Sequence, residues 1–154
     1  MAAALTAYLH YLAMIAIAVI LVVQRMLCTP GMAGRQVRLL ARLDLLYLGA
    51  VVVVLGSGVA RVIWFGKGPG FYLYNPAFYI KLALFVAMGL LSISPTRQYL
   101  RWLRGVGRDG KAAAADYEVF RVQRYLVGQL VLFVFIPLMA TFMARGIGLQ
   151  PAGQ

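Results

Sequence analysis

Residues 43–65 read LDLLYLGAVVVVLGSGVARVIWF, and this stretch decides the fold. As a helix rising about 1.5 Å per residue, it is long enough to cross a hydrocarbon core of about 30 Å. Its valine run does not alternate between apolar and polar residues, as the strands of an outer-membrane barrel do. Lipid requires backbone hydrogen bonds to be satisfied within the segment, so the stretch is predicted to be a transmembrane helix.

Three further apolar runs have the same character, at about 5–24, 77–94 and 125–144. Of the 154 residues, 63% are hydrophobic and 12% are charged, against roughly 45–50% and about 25% in soluble domains. A soluble domain of this size cannot bury so much apolar surface. We therefore predict one all-α domain over 1–154, an integral membrane four-helix bundle. No Lys or Arg precedes the first run, so we expect it to stay as a helix rather than be cleaved as a signal peptide.

The basic residues predict the orientation of the bundle. Two loops that must share one side of the membrane contain 11 of the 15 Lys and Arg residues, whereas the loop between the second and third runs contains only Lys67. The positive-inside rule places these two loops in the cytoplasm and both termini outside, in the periplasm of a bacterial inner membrane. The eleven are Arg25, Arg35, Arg38, Arg42, Arg97, Arg101, Arg104, Arg108, Lys111, Arg121 and Arg124.

The long loop at 96–124 contains a helical pattern of its own. Tyr99, Trp102, Leu103 and Val106 are spaced three and four residues apart, and arginines occupy the other side. This pattern predicts an amphipathic segment at the anionic cytoplasmic surface.

The net charge of +11 is distributed between apolar runs rather than over one face. That distribution is typical of membrane topology, so we expect the lipid bilayer as the partner and no nucleic acid. The single cysteine, Cys28, excludes an intrachain disulfide. It lies eighteen residues from His10, about 27 Å along a helix, which also excludes a compact His–Cys metal site.

Four ionisable residues lie within the predicted spans, at a cost of roughly 2.5–3.5 kcal/mol each for the charged ones. Counting residues from the helix ends brings His10, Arg61 and Lys81 to one layer in the outer half of the membrane. The fourth, Asp44, lies at the cytoplasmic end of the second span, where we expect Arg25 or Arg97 to pair with it. Gln129 is expected to hydrogen-bond across helices in the same structural role.

Each of these residues admits more than one role. Arg61 and Lys81 lie near helix ends, so each can lift its charge to the interface or bind an anion. His10 can be a neutral imidazole bonded across helices, a proton carrier, or a ligand of haem iron. The second axial ligand would then be Lys81, Met139 or Met143, or the iron would be five-coordinate. The GSG step at 56–58 permits close approach of either a helix or a flat ligand.

The whole layout resembles a known family. The runs AYLHYLAM, RLLARLDLLYLGAVVVVLGSGVARV, NPAFYIKLALFVAMGLLSISPTRQYLRW and FIPLMATFMARG resemble a bacterial four-span membrane protein family of unknown function, the domain of unknown function 2214. This resemblance covers nearly the whole chain and implies the fold, but no activity.

More distantly, the order of elements is similar to that of HemJ-type protoporphyrinogen IX oxidases. That family has a histidine in its first span, a basic RRL-type loop, a glycine-containing second span and a lysine early in its third span. His10, Arg38-Leu39-Leu40, Gly56 and Lys81 stand in the matching places. The resemblance implies a b-type haem with His10 as the iron ligand and Lys81 at or near the site.

The chain also departs from the HemJ pattern. HemJ proteins have a further histidine after the third span and an Asn-Glu-x-Pro motif before the fourth, where this chain has SPTRQYLRW and RVQRYLVGQ.

From the shared depth of the three residues and the layout of the spans, we predict a haem-binding inner-membrane protein in haem metabolism or redox chemistry, with His10, Lys81 and Arg61 at the site and no catalytic residue assigned. The alternative is a non-catalytic membrane subunit or assembly factor without a cofactor, in a homo-oligomer or bound to another membrane protein. Transport is a third hypothesis, which would require an oligomer.

Overall fold

The computed structural model describes residues 1–65, 69–106 and 114–145. Helix α1 covers Ala2–Leu27 and α2 covers Gly34–Ala60, followed without a break by a π-helical turn at Arg61–Phe65. A short helix, α3, covers Pro69–Leu73. The two remaining helices are α4, Pro76–Arg104, and α5, Asp116–Ala144.

Four of these helices are long and apolar enough to cross a membrane. In each, only 17–22% of the most apolar window is buried inside the protein. The remaining apolar side chains have no protein neighbours to cover them, so they require lipid. The prediction of an all-α membrane bundle with four spanning helices is confirmed.

The bundle is built from two helical hairpins. Helix α1 packs chiefly against α2, and α4 packs chiefly against α5, while α2–α4 and α1–α5 contacts close the bundle. We call the end that holds the starts of α1 and α4 the Asn75 end, and the opposite end, where the arginines cluster, the arginine end. The core side chains with the largest buried volumes are Trp102, Tyr47, Tyr99, Ile17, Leu21, Leu40, Met88 and Leu126.

Helix α4 begins at an Asn-Pro step. The side-chain oxygen of Asn75 accepts a hydrogen bond from the backbone N–H of Ala77 at 2.9 Å. Pro76 occupies the first helical position, where its missing N–H has no intrahelical partner to lose. Asn75 is fully buried, so this cap fixes the start of α4 within the Asn75 end.

Three helices extend well beyond the predicted spans, and α2 begins at Gly34 instead of near residue 43. Helix α4 runs on past residue 94 to Arg104, and α5 begins at Asp116 instead of near residue 125. Up to Arg104 the predicted amphipathic segment is therefore a continuation of α4 and does not lie flat on a surface, and its residues 107–113 lie outside the described part of the chain. Tyr99 and Trp102 are both 1% exposed, because the three-and-four spacing that suggested a membrane-facing stripe turns these rings into the bundle core.

Candidate functional site

The clearest polar contact between spans joins α1 to α2 at the Asn75 end. The Nδ1 atom of His10 lies 2.9 Å from the Oγ atom of Ser57. The Ser57 hydroxyl also lies 2.5 Å from the carbonyl oxygen of Val53 and 3.2 Å from that of Val54. A hydroxyl has a single proton, and both of these carbonyls can only accept it.

This geometry assigns the tautomer of His10. Since the Ser57 proton is donated to the backbone of its own helix, its oxygen accepts from the imidazole, and Nδ1 carries the proton. In a neutral imidazole with a protonated Nδ1, the Nε2 lone pair is left for a proton or a metal.

The GSG step at 56–58 leaves room for the His10 ring. A Cβ placed on Gly58 would meet only the His10 ring, at 3.5 Å from its Cε1 atom. A Cβ on Gly56 would meet nothing within 4 Å. The close approach predicted for this step is therefore made at Gly58 by the imidazole of α1, whereas Gly56 faces outward.

Arg61 stands where α2 changes from α-helical to π-helical geometry. Its guanidinium carbon lies 5.4 Å from the centroid of the Tyr11 ring, in a cation–π contact across α1 and α2. The Tyr11 ring in turn lies 6.2 Å from the His10 ring, centroid to centroid, so the contact holds Arg61 in the vicinity of the imidazole. π-Helical turns are rare in proteins, and those that do form are often found at functional sites.

Lys81 completes the group from α4. Its Nζ atom lies 5.4 Å from the centroid of the Phe78 ring, one turn earlier in the same helix. Arg61 and Lys81 both act electrostatically on His10, and Arg61 acts on Lys81. The structure thus brings together the three side chains that counting residues from the helix ends had placed at one depth. All three are half-buried.

No carboxylate balances this group within the described residues. The chain has four acidic residues, of which Asp44, Asp116 and Glu118 are described. Asp44 lies seventeen residues before Arg61 on α2, about 25 Å away along the helix. Asp116 and Glu118 begin α5 at the arginine end. The group formed by His10, Arg61 and Lys81 is therefore suited to an anionic ligand.

Asp44 has different partners from those the sequence suggested. It is 7% exposed and lies beside the side chains of Thr96 and Gln24, and no ion pair joins it to Arg25 or Arg97. The physical reason is the helical turn: Gln24 faces the core, and Arg25 follows it about 100° further round α1, away from the carboxylate. In the described part of the chain, the one ion pair is Arg101–Glu118, at 3.6 Å.

Other polar side chains lie buried toward the arginine end. Tyr47 lies beside Ser92. Gln129, expected to hydrogen-bond across helices, is buried, but the carbonyl oxygen of its amide has no hydrogen-bond partner. Gln123, half-buried on α5, donates from Nε2 to the carbonyl of Cys28 at 2.6 Å and ties the end of α1 to α5. Within residues 1–65, 69–106 and 114–145, no three His, Cys, Asp or Glu side chains meet as a metal site of their own.

Two functional contacts had no specific signal in the sequence. Ser57 reads there only as a small residue of the GSG step, although it supplies the acceptor that orients His10. Tyr11 reads as one more aromatic residue of an apolar run, although Arg61 lies over its ring. Position is the indication that the sequence offers, because Tyr11 follows His10 directly and Ser57 lies one turn before Arg61.

Comparison with known proteins adds the family. A family model described as "Predicted membrane protein (DUF2214)" matches residues 2–148. No curated protein and no solved structure matches the chain. The distant similarity to HemJ-type oxidases therefore stays a prediction.

Proposed function

Because the chain belongs to the DUF2214 family of membrane proteins, whose description names no activity, we propose a function from the site alone: binding of a b-type haem at the Asn75 end. The Nε2 atom of His10 would be the iron ligand. The single observation that carries this proposal is the 2.9 Å contact between His10 Nδ1 and Ser57 Oγ, in which we assign the proton to Nδ1 because the Ser57 hydroxyl is directed at the carbonyl of Val53. Metal-ligating histidines almost always donate their other ring N–H in this way, which fixes the ring and raises the basicity of the ligating nitrogen.

The two cations next to His10 support the same ligand. Haem carries two propionates, and Arg61 and Lys81 have no carboxylate partner among the described residues. Guanidinium and ammonium groups bind carboxylates through strong charge-assisted hydrogen bonds, which also offset the cost of placing these cations within the span. The residues present thus fit the donor set that a haem would require.

A haem at this position would supply one-electron chemistry, and the protein would supply binding and orientation. His10 would hold the iron, Ser57 would hold His10, and Arg61 and Lys81 would hold the propionates. The proposal places the protein in haem metabolism or redox chemistry at the membrane and assigns no catalytic residue.

An absorbance spectrum of the purified protein tests the proposal. Protein from haem-replete cells should show a Soret band, and His10→Ala should lose it. Arg61→Gln and Lys81→Gln should each weaken haem binding about tenfold while the band remains, since a charge-assisted hydrogen bond contributes about 1.5–3 kcal/mol. Arg35→Gln, an exposed arginine at the other end of the bundle, is the control and should change nothing. A colourless wild-type protein at full haem supply would refute the proposal.

The second candidate is a non-catalytic membrane subunit or assembly factor. One observation favours it: Gly49 and Gly56, two turns apart on α2, are exposed, and a Cβ placed on either would meet nothing within 4 Å. Small residues on an open face allow close approach of a helix from another protein or a second copy. This role predicts a colourless protein whose partner survives mild extraction and is released by Gly49→Leu with Gly56→Leu, but not by Val52→Leu.

We further propose that the arginine end lies in the cytoplasm, with both termini outside, in a bacterial inner membrane. The distribution of Lys and Arg supports this orientation. Reporters fused after residue 145 should be active only outside the cytoplasm, and reporters inserted after residue 105 only within it. The reversed pattern, with the reporter after residue 145 active only in the cytoplasm, would overturn the orientation.

A further inference from the structure

A groove lies between α4 and α5 at the arginine end. Its lower wall, nearer the middle of the bundle, is apolar, and its upper wall, nearer the arginine end, carries three arginines and one glutamate. The residues that line the groove include Leu90, Ile93, Arg97, Arg101, Glu118 and Arg121. A second hollow adjoins it, lined by Leu91, Arg121, Arg124 and Tyr125. Arg121 and Tyr125 line both, so the two hollows meet at these side chains.

The groove crosses the level at which the hydrocarbon ends. Counted from Pro76 at about 1.5 Å per residue, Leu90 lies about 21 Å along α4 and Arg97 about 31 Å along it. A hydrocarbon core is about 30 Å thick. The apolar wall is therefore within reach of lipid acyl chains, and the arginines begin at the level of the lipid phosphate groups.

The charge of the groove is positive. Glu118 is its one acidic residue, and its carboxylate is already engaged by the indole N–H of Trp102 at 2.8 Å and by Arg101 at 3.6 Å. Arg121 lies over the Tyr117 ring at 5.7 Å. Neither Arg97 nor Arg121 has an ion-pair partner in the part of the chain that the structure describes.

We propose that this groove binds an anionic phospholipid, with the phosphate between Arg97 and Arg121 and an acyl chain along Leu90 and Ile93. Basic pockets between transmembrane helices are suited to anionic head groups. The apolar lower wall distinguishes a lipid from a free anion, which would use only the arginines. Glu118 acts here as a positioning residue, because it holds Arg101 at the rim while leaving Arg97 and Arg121 for the phosphate.

Native mass spectrometry of the full-length protein in a mild detergent tests the site. The protein is titrated with phosphatidylglycerol or phosphatidylcholine of identical acyl chains. We expect preferential binding of phosphatidylglycerol, weakened about 30-fold in Arg97→Gln with Arg121→Gln, or roughly fivefold for each arginine lost. Arg97→Lys with Arg121→Lys should retain most of the binding, since the charges remain. Inorganic phosphate at millimolar concentration should not displace the lipid.

The matched control removes the same charge elsewhere. Arg35→Gln with Arg38→Gln changes two exposed arginines at the same end of the bundle and should bind phosphatidylglycerol as the wild type does. Equal loss in this control would show a general charge effect and overturn the proposal. So would equal affinity for the two lipids, or displacement by phosphate alone. The single variants Arg97→Gln and Arg121→Gln keep the test decisive if the double variant fails to fold.

Discussion

The indole Nε1 atom of Trp102 donates a hydrogen bond of 2.8 Å to Oε2 of Glu118. Trp102 lies near the end of α4 and is 1% exposed, and Glu118 lies in the first turn of α5. The contact therefore closes the second hairpin at the arginine end, beyond the length that the hydrocarbon core requires. A buried indole N–H needs a partner, and here that partner is also the acceptor for Arg101.

Substitution of Glu118 should separate these two contacts. Glu118→Ala leaves the indole N–H without a partner, and we expect the free energy of unfolding to fall by about 1–3 kcal/mol. Glu118→Gln keeps an acceptor for the indole and loses only the 3.6 Å ion pair with Arg101, whose side chain is 72% exposed, so the loss should stay below about 1 kcal/mol. Thermal unfolding in detergent measures both. Equal losses would mean that the charge, and not the hydrogen bond, stabilises the hairpin.

The tautomer of His10 can be read directly, because the chain has a single histidine. In protein labelled with ¹⁵N-histidine, the nitrogen shifts of the wild type should show a protonated Nδ1 and an unprotonated Nε2. Ser57→Ala removes the acceptor, so the shifts should move toward a mixture of tautomers. Thr141→Ala is the control, since its hydroxyl bonds within α5. A wild-type spectrum with a protonated Nε2 would contradict the assignment and weaken the case for a metal ligand.

Asp44 should contribute to stability through its neutral neighbours. Asp44→Ala removes a buried polar side chain beside Thr96 and Gln24, and we expect a loss of about 1–3 kcal/mol because the neighbouring buried polar groups are left facing a methyl group and the space around it. Asp116→Ala, at an exposed position in the first turn of α5, should cost about 0.3–1 kcal/mol through the helix dipole alone. Chemical denaturation in mixed micelles measures both. A smaller loss for Asp44→Ala than for Asp116→Ala would refute this role.

Cys28 should react slowly with thiol reagents in the folded protein. It is 0% exposed, and burial raises the pKa of its thiol to about 11, against a smaller opposing effect of Arg25. Only the thiolate reacts, and at pH 8 about 0.1% of the Cys28 side chain is in the thiolate form. The rate of alkylation should rise about tenfold per pH unit up to about pH 11. Thr29→Cys, at an exposed position, provides a fast-reacting internal control. Comparable rates at the two positions would contradict the burial of Cys28.

Much of the architecture could be predicted from hydropathic length. The run at 43–65 and its three counterparts required lipid, and positions counted along helices brought His10, Arg61 and Lys81 to one level. Helical rise is nearly constant, so depth along a helix can be predicted from sequence alone.

Rotation about each helix axis was harder to predict. Arg25 and Gln24 differ by one position, yet only Gln24 faces Asp44, because a single residue turns the side chain by about 100°. The ends of α4 and α5 were missed for a related reason. Tyr99 and Trp102 show the same spacing whether they face lipid or a neighbouring helix, and the choice depends on α5, which lies distant in sequence.

The length of the second hairpin has a practical consequence. Helix α4 has 29 residues and is about 43 Å long, so it and the start of α5 rise as a paired stem about 10 Å clear of the lipid. A chain of 154 residues embedded in a micelle offers few landmarks for aligning particle images. A rigid helical protein grafted onto this stem, between Arg104 and Asp116, would give electron cryomicroscopy the fiducial that the bundle itself lacks.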